Sequence, residues 1–211
     1  MKTESLIRAL AADAARPVVA LGPLMLAALG AGAAGSLDLF AGLLQPRPDF
    51  AASLHAFDFW TKHTVVILLA GSATVALRAV IRPLPRPPAL RWLWLAPLLL
   101  AAGVFGELFT EPASAWGSLL VGHAALHCLG LIPLLSAPPA LCLMLALRHA
   151  APARPGLAGA VAGLAAGGFG ACLYALSCRE DSPLFVAAWY SLAVGAVTSV
   201  CYFAGRRWLR W

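Results

Sequence analysis

Six apolar runs, each long enough to cross a hydrocarbon layer and each free of charge at its centre, occupy most of the chain. They fall at residues 18–44, 59–81, 92–109, 119–147, 157–176 and 184–205. A bilayer core needs roughly 20 apolar residues per helix, so a chain of 211 residues has hardly any length left for a soluble domain. Composition agrees: 61% of the residues are apolar and 11% charged, whereas about a quarter are charged in a soluble domain. These features exclude a cytosolic enzyme, a disulfide-framed secreted module and a disordered regulator. They predict an all-α integral membrane protein with six transmembrane helices. Its parts are a cytosolic amphipathic segment over residues 1–17, a membrane domain over 18–205 and a basic cytosolic tail over 206–211. The first run is too long for a signal peptide and lacks a cleavage site, so it counts as a mature span.

The net charge of +6 is explained by its placement and calls for no direct contact with nucleic acid. With a cytosolic N-terminus, twelve of the fifteen basic residues lie on the inner side, from Lys2, Arg8 and Arg16 to Arg206, Arg207 and Arg210. The outer side keeps Arg47, Lys62 and Arg179 with seven of the nine acids. Such asymmetry over short loops is the positive-inside pattern, and it puts both termini in the cytosol. Prolines at 46, 48, 83, 85, 87, 88, 152 and 155 mark the connections as turns. Gly159, Gly163 and Gly167 recur every four residues and leave a smooth face for a neighbouring helix. No internal repeat is visible, which argues against a transporter of symmetric halves.

The polar residues that carry chemistry lie toward the outer side. Asp38 and Glu107 stand at outer helix ends, within reach of water and headgroups. Five cysteines are present without a CxxC pair. Cys142, Cys172 and Cys201 stand in apolar sequence, where a thiol acts as a small hydrophobe. Cys178 closes the fifth run on the outer side, followed by Arg179, Glu180 and Asp181. Arg179 favours its thiolate and the two acids oppose it. Cys128 follows His123 and His127, which stand four residues apart on the same helical face. Two chemistries stay open for Cys128, Cys178, His123 and His127: a disulfide between the thiols, or a soft or borderline metal ion such as copper, zinc or cadmium. His55 and His63 flank the second span on the same side and are expected to be structural.

On the inner side, Thr3 caps an expected amphipathic helix with Leu6, Ile7 and Leu10 on one face. That face suits either the groove of a soluble partner or the lipid surface. No nucleotide loop, Ser/His/Asp set or pair of catalytic carboxylates occurs, so the chain does not read as an enzyme.

The string YALSCREDSPLFVAAWY, with Cys128, Pro133, Leu147, Arg148, Pro152, Gly159, Gly163, Gly167, Gly205 and Trp211, resembles the NrsF-type anti-sigma factors. Thr3, Leu6, Ile7, Leu10 and Asp13, and then Phe59, Trp60 and Lys62, extend the resemblance to the N-terminal half. It implies a six-span negative regulator of the bacterial inner membrane, surrounded by lipid. Such a regulator holds an extracytoplasmic-function sigma factor and releases it under heavy-metal or oxidative stress, with Cys128 and Cys178 as sensing residues. Ser177 departs from the histidine expected in many relatives. One rival is a membrane thiol or quinone oxidoreductase using Cys128 and Cys178, which requires a cofactor pocket that the sequence does not reveal. Another is a metal transporter, against which the nearly charge-free spans speak.

Overall fold

A computed structural model describes residues 3–4, 20–81, 90–150 and 152–209. Among these residues, six helices are long and apolar enough to cross a membrane. They are α1 (Leu21–Leu43), α2 (Phe57–Val80), α3 (Trp92–Thr110), α4 (Trp116–Leu147), α5 (Pro155–Ala175) and α6 (Pro183–Trp208). At 1.5 Å per residue, the 21 residues of α5 reach about 32 Å, enough for a hydrocarbon core. All six expected spans are present. Their ends shift by a few residues: α1 starts at Leu21, and α6 continues through Arg206 and Arg207 to Trp208, so half of the expected basic tail is helical.

The core has a centre and two ends. Helix α5 packs on α2, α4 and α6, while α1 is held mainly by α4, and α3 by α2. Met25, Leu77, Leu147, Ala158 and Leu209 cluster together, which places the start of α1 and the end of α6 at one end of the bundle. Phe40, Val66, Cys128, Tyr174 and Phe185 form a second cluster, here called the cysteine end.

Small residues make the interior. Ala158, Ala162, Ala165 and Ala166 are buried on α5, and the glycine stripe beside them faces α6. A Cβ on Gly159 would stand 2.2 Å from the Cys201 carbonyl oxygen, so only glycine lets these two backbones meet. Large apolar side chains point outward instead, among them Leu98, Phe105, Leu141, Leu145, Val200 and Phe203. A water-soluble protein does not expose so much contiguous apolar surface. Close packing through small residues with bulky ones outside is what a hydrocarbon solvent favours.

Helix α4 contains Pro133, Pro138 and Pro139, each of which removes an N–H and frees the carbonyl four residues earlier. The carbonyl opposite Pro139 is that of Leu135. It accepts a hydrogen bond from Ser36 Oγ of α1 at 2.7 Å, inside a fully buried contact. The break in the hydrogen-bond ladder thus becomes the attachment point of α1.

Candidate functional site

Cys178 lies just past the end of α5. The backbone N–H groups of Ser177 and Cys178 both donate to the Tyr174 carbonyl at 3.0 Å, so the last turn tightens and draws the Cys178 side chain inward. Cys128 approaches it from α4. That helix is broken at Gly122, which has φ +54° and lies against the Phe185 ring, and its long part begins only at Ala125. The Cys128 N–H donates to the Ala124 carbonyl at 2.9 Å, in the first turn after the break. Cys128 is fully buried and Cys178 is 3% exposed. Both are free thiols, packed in the same buried cluster and near enough to act on each other, and the Cys178 thiol points to the Glu180 carbonyl at 3.9 Å. Tyr174 belongs to the same buried cluster, with its ring centroid 5.8 Å from that of Tyr190.

A buried ion network fixes the segment that carries Cys178. Lys62 of α2 has no exposed side-chain surface, and its Nζ forms an ion pair with Asp181. The same nitrogen donates to the Cys178 carbonyl at 2.9 Å and the Glu180 carbonyl at 3.2 Å. Arg47, from the connection after α1, donates to both Asp181 oxygens at 2.9 and 2.7 Å. It also grips Asp49 through Nε and Nη2 at 3.0 and 2.8 Å. Asp181 therefore bridges two buried cations. The Arg47 N–H donates to the Leu176 carbonyl at 3.0 Å and Ser177 Oγ to the Gln45 carbonyl at 2.6 Å. Further along, Glu107 of α3 accepts from the Leu184 N–H at 2.8 Å at the start of α6. Residues 176–184 are in this way tied to the connection after α1, to α2 and to α3.

The charges act on the groups outside the spans. Its hydrogen bonds with Arg47 hold the Asp49 carboxyl down to about 2. The neighbouring Cys128 thiol, and behind it the Lys62 ammonium, keep the Cys178 thiol below the usual cysteine range against the opposing effect of burial. Arg179, the neighbour in sequence, has no part in this. The adjacent Asp181 is occupied by Lys62 and Arg47.

Among the expected site residues, the structure brings Cys128 and Cys178 together and leaves the histidines outside. His123 and His127 are exposed. His123 sits in the break before Ala125, so the two imidazoles do not share a continuous helical face. His123 instead contacts Glu180, through Nδ1 at 3.4 Å from Oε1 and its N–H donating to Oε1 at 3.0 Å. No group of three or more His, Cys, Asp or Glu side chains is gathered for a metal ion among the described residues. His63 Nδ1 lies 2.8 Å from the Phe59 carbonyl of its own helix, a local structural contact. Leu6, Ile7 and Leu10 lie outside the described residues.

Lys62, Arg47, Asp181, Tyr174 and Tyr190 complete the site without having been singled out as functional from the sequence. For Lys62 a signal existed: a lone ammonium just inside an apolar span marks a polar function or partner.

A family model described as negative regulator of sigma F, NrsF, matches residues 10–211. The anti-sigma-F factor NrsF of Caulobacter vibrioides is 36% identical over 217 aligned positions, covering all of both chains. The probable anti-sigma-F factor NrsF of Azospira oryzae is 35% identical over 216 positions, again covering both chains completely. No solved structure matches the chain.

Proposed function

The chain belongs to the NrsF family of negative regulators of sigma F, and from that premise we propose a bacterial inner-membrane protein that holds an extracytoplasmic-function sigma factor until Cys128 and Cys178 react. It is an anti-sigma factor, a regulator and not an enzyme. The observation that carries the sensing step is the burial of two thiols in one cluster, Cys128 on α4 and Cys178 on a segment that the Lys62–Asp181–Arg47 network fixes in place. A disulfide or a soft ion linking the sulfurs changes the distance between α4 and the end of α5. A ligand or reaction biases a protein only through its different affinity for two arrangements, and α5, which packs on three other helices, is the element able to carry that bias to the far end. A closed zinc site uses four protein ligands, whereas the thiol pair supplies two. Disulfide formation, or a two-coordinate soft ion such as copper(I), fits the donors better.

The sigma factor binds at the cytosolic end. The connections there are short, while a standard interface buries about 800 Å² per partner, so Leu6, Ile7 and Leu10 of the N-terminal segment supply anchors for it. The test is affinity capture of the full-length tagged chain from detergent-solubilised membranes. The sigma factor should co-purify under reducing conditions and be lost after diamide or cadmium treatment, and a chain carrying Cys128→Ser and Cys178→Ser should keep it under both. Loss from the double variant as well would remove the thiols from the mechanism.

A further inference from the structure

Two buried polar atoms among the described residues have no hydrogen-bond partner, His63 Nε2 and the Tyr190 hydroxyl. His63 is half-buried and already engages the Phe59 carbonyl through its other ring nitrogen. Tyr190 of α6 is 3% exposed and lies in the cluster that holds Cys128 and Cys178. Its ring centroid stands 6.5 Å from that of Phe185 and 5.8 Å from that of Tyr174, and the Tyr174 carbonyl is the one that accepts from the Cys178 N–H at 3.0 Å. The Tyr190 hydroxyl faces the thiols, Cys178 before Cys128. Tyr190 also ends a single π-helical turn, Val186–Tyr190, a feature found often at functional sites.

A thiol sulfur is a weak acceptor, and the Cys178 thiol is itself directed to the Glu180 carbonyl at 3.9 Å. The reduced site thus leaves the Tyr190 O–H unmet, at a cost of about 1–3 kcal/mol. One oxygen atom placed on Cys178 supplies the missing acceptor. Such an oxygen is the first product of thiol oxidation, the sulfenic acid. Cys178 is the sulfur suited to carry it. The Lys62 ammonium holds its carbonyl at 2.9 Å, and a nearby positive charge favours the thiolate, which is the nucleophile. Cys128 has no exposed surface and Cys178 only 3%, so the oxidant must be small and uncharged and must deliver an oxygen atom. Hydroperoxides, with hydrogen peroxide little larger than water, meet all three conditions.

We propose that Cys178 is a site of sulfenic acid formation by small hydroperoxides, with Tyr190 as the positioning residue whose hydroxyl donates to the new oxygen and Cys128 as the thiol that then closes the disulfide. In the first step the Cys178 sulfur attacks the peroxide, the O–O bond breaks and an S–O bond forms. Two electrons pass from sulfur to oxygen, and the hydroxide that leaves takes the Cys178 thiol proton to become water. In the second step the Cys128 sulfur attacks Cys178, an S–S bond forms and the S–O bond breaks. The departing hydroxide takes the Cys128 proton as a second water. Tyr190 keeps its own proton throughout and holds the oxygen until Cys128 displaces it. The inference rests on the thiol-pair reading of the previous subsection and adds to it the order of events and the class of oxidant.

The test uses the full-length chain, reduced and kept anaerobic in lipid nanodiscs, with hydrogen peroxide as the probe. Diamide, which oxidises thiols without delivering oxygen, is the comparison. Sulfenic acid is trapped by unfolding in dimedone and located by peptide mapping. Peroxide should close the disulfide in the wild-type chain, leave a dimedone adduct at position 178 in Cys128→Ser, and leave none at position 128 in Cys178→Ser. Tyr190→Phe should slow the peroxide reaction about tenfold, the equivalent of about 1.4 kcal/mol, while diamide acts at the wild-type rate. A role of the ring in packing alone would not separate the two reagents. Wild-type thiols that survive peroxide but yield to diamide would overturn the proposal. An adduct at position 128 in Cys178→Ser would overturn it too, as would a Tyr190→Phe chain slowed equally toward both reagents or toward neither. If the peroxide-made disulfide fails to release the sigma factor, the sensing reading fails while the oxidation chemistry stands.

Discussion

Asp181 is the residue on which the cysteine end depends most. It neutralises both Lys62 and Arg47, whose side chains are 0% and 5% exposed. Removing one partner of a buried ion pair typically costs about 3–5 kcal/mol because a charge is left behind. Asp181→Asn leaves Lys62 without a carboxylate partner and Arg47 with Asp49 alone, whereas Lys62→Met leaves Asp181 still gripped by Arg47. The asparagine variant should therefore melt at the lower temperature of the two in detergent, and equal melting temperatures would contradict the bridging role. Asp49 gives a pH signature. Its folded value, about 2, lies below its ordinary 3.8, so the clamp with Arg47 is complete above that ordinary value and is lost as pH falls toward 2. The difference in melting temperature between wild type and Asp49→Asn should accordingly be constant near neutrality and vanish between pH 4 and pH 2. The residue scale also shows what sequence could convey. Cys128 and Cys178 were legible from their outer-side placement and the family resemblance, and so was their pairing across α4 and α5, whereas the Lys62–Asp181–Arg47 network beside them was not. The histidines misled because the break at Gly122 leaves His123 outside the long part of α4, which carries His127 and Cys128. Even on an unbroken helix Cys128 stands about 100° around from His127, so one faces the core while the other faces outward.

At the scale of elements, the six spans were readable because a run of about 20 apolar residues has few other uses. The interior of α4 was harder to read. Three prolines within 23 residues mark a break in most soluble helices, yet here Ser36 answers the carbonyl that Pro139 frees, a tertiary contact that no local pattern contains. The Gly159, Gly163 and Gly167 stripe was legible as a packing face, and its partner is α6, met at Cys201, Val197 and Val194. Gly159→Ala should cost about 2 kcal/mol, in the range for overpacking a close contact, because the new methyl meets a backbone oxygen that cannot move alone. Gly195→Ala on α6 meets nothing and should leave thermal stability unchanged. If both substitutions behave alike in a detergent melting assay, the α5–α6 contact is looser than described.

For the whole molecule, the start of α1 and the end of α6 share one end of the bundle, and the charge asymmetry is the ground for proposing that this end is cytosolic. Reporter fusions after Pro152 and Trp211 should read cytosolic and those after Glu111 and Asp181 external, and an external C-terminus would reverse the assignment of the thiols to the outer side. With that orientation, the thiol pair and the proposed sigma-binding surface would lie at opposite ends of a helix about 32 Å long, α5. The central claim is that the state of Cys128 and Cys178 sets the affinity at the far end. The most direct measurement is the dissociation constant of purified sigma factor for the full-length chain in lipid nanodiscs, taken once with both thiols reduced and once with the Cys128–Cys178 disulfide formed and verified by mass. Disulfide formation should weaken binding by about tenfold or more, a coupling of about 1.4 kcal/mol, within the usual range for linked sites. Equal affinities in the two states would contradict the account.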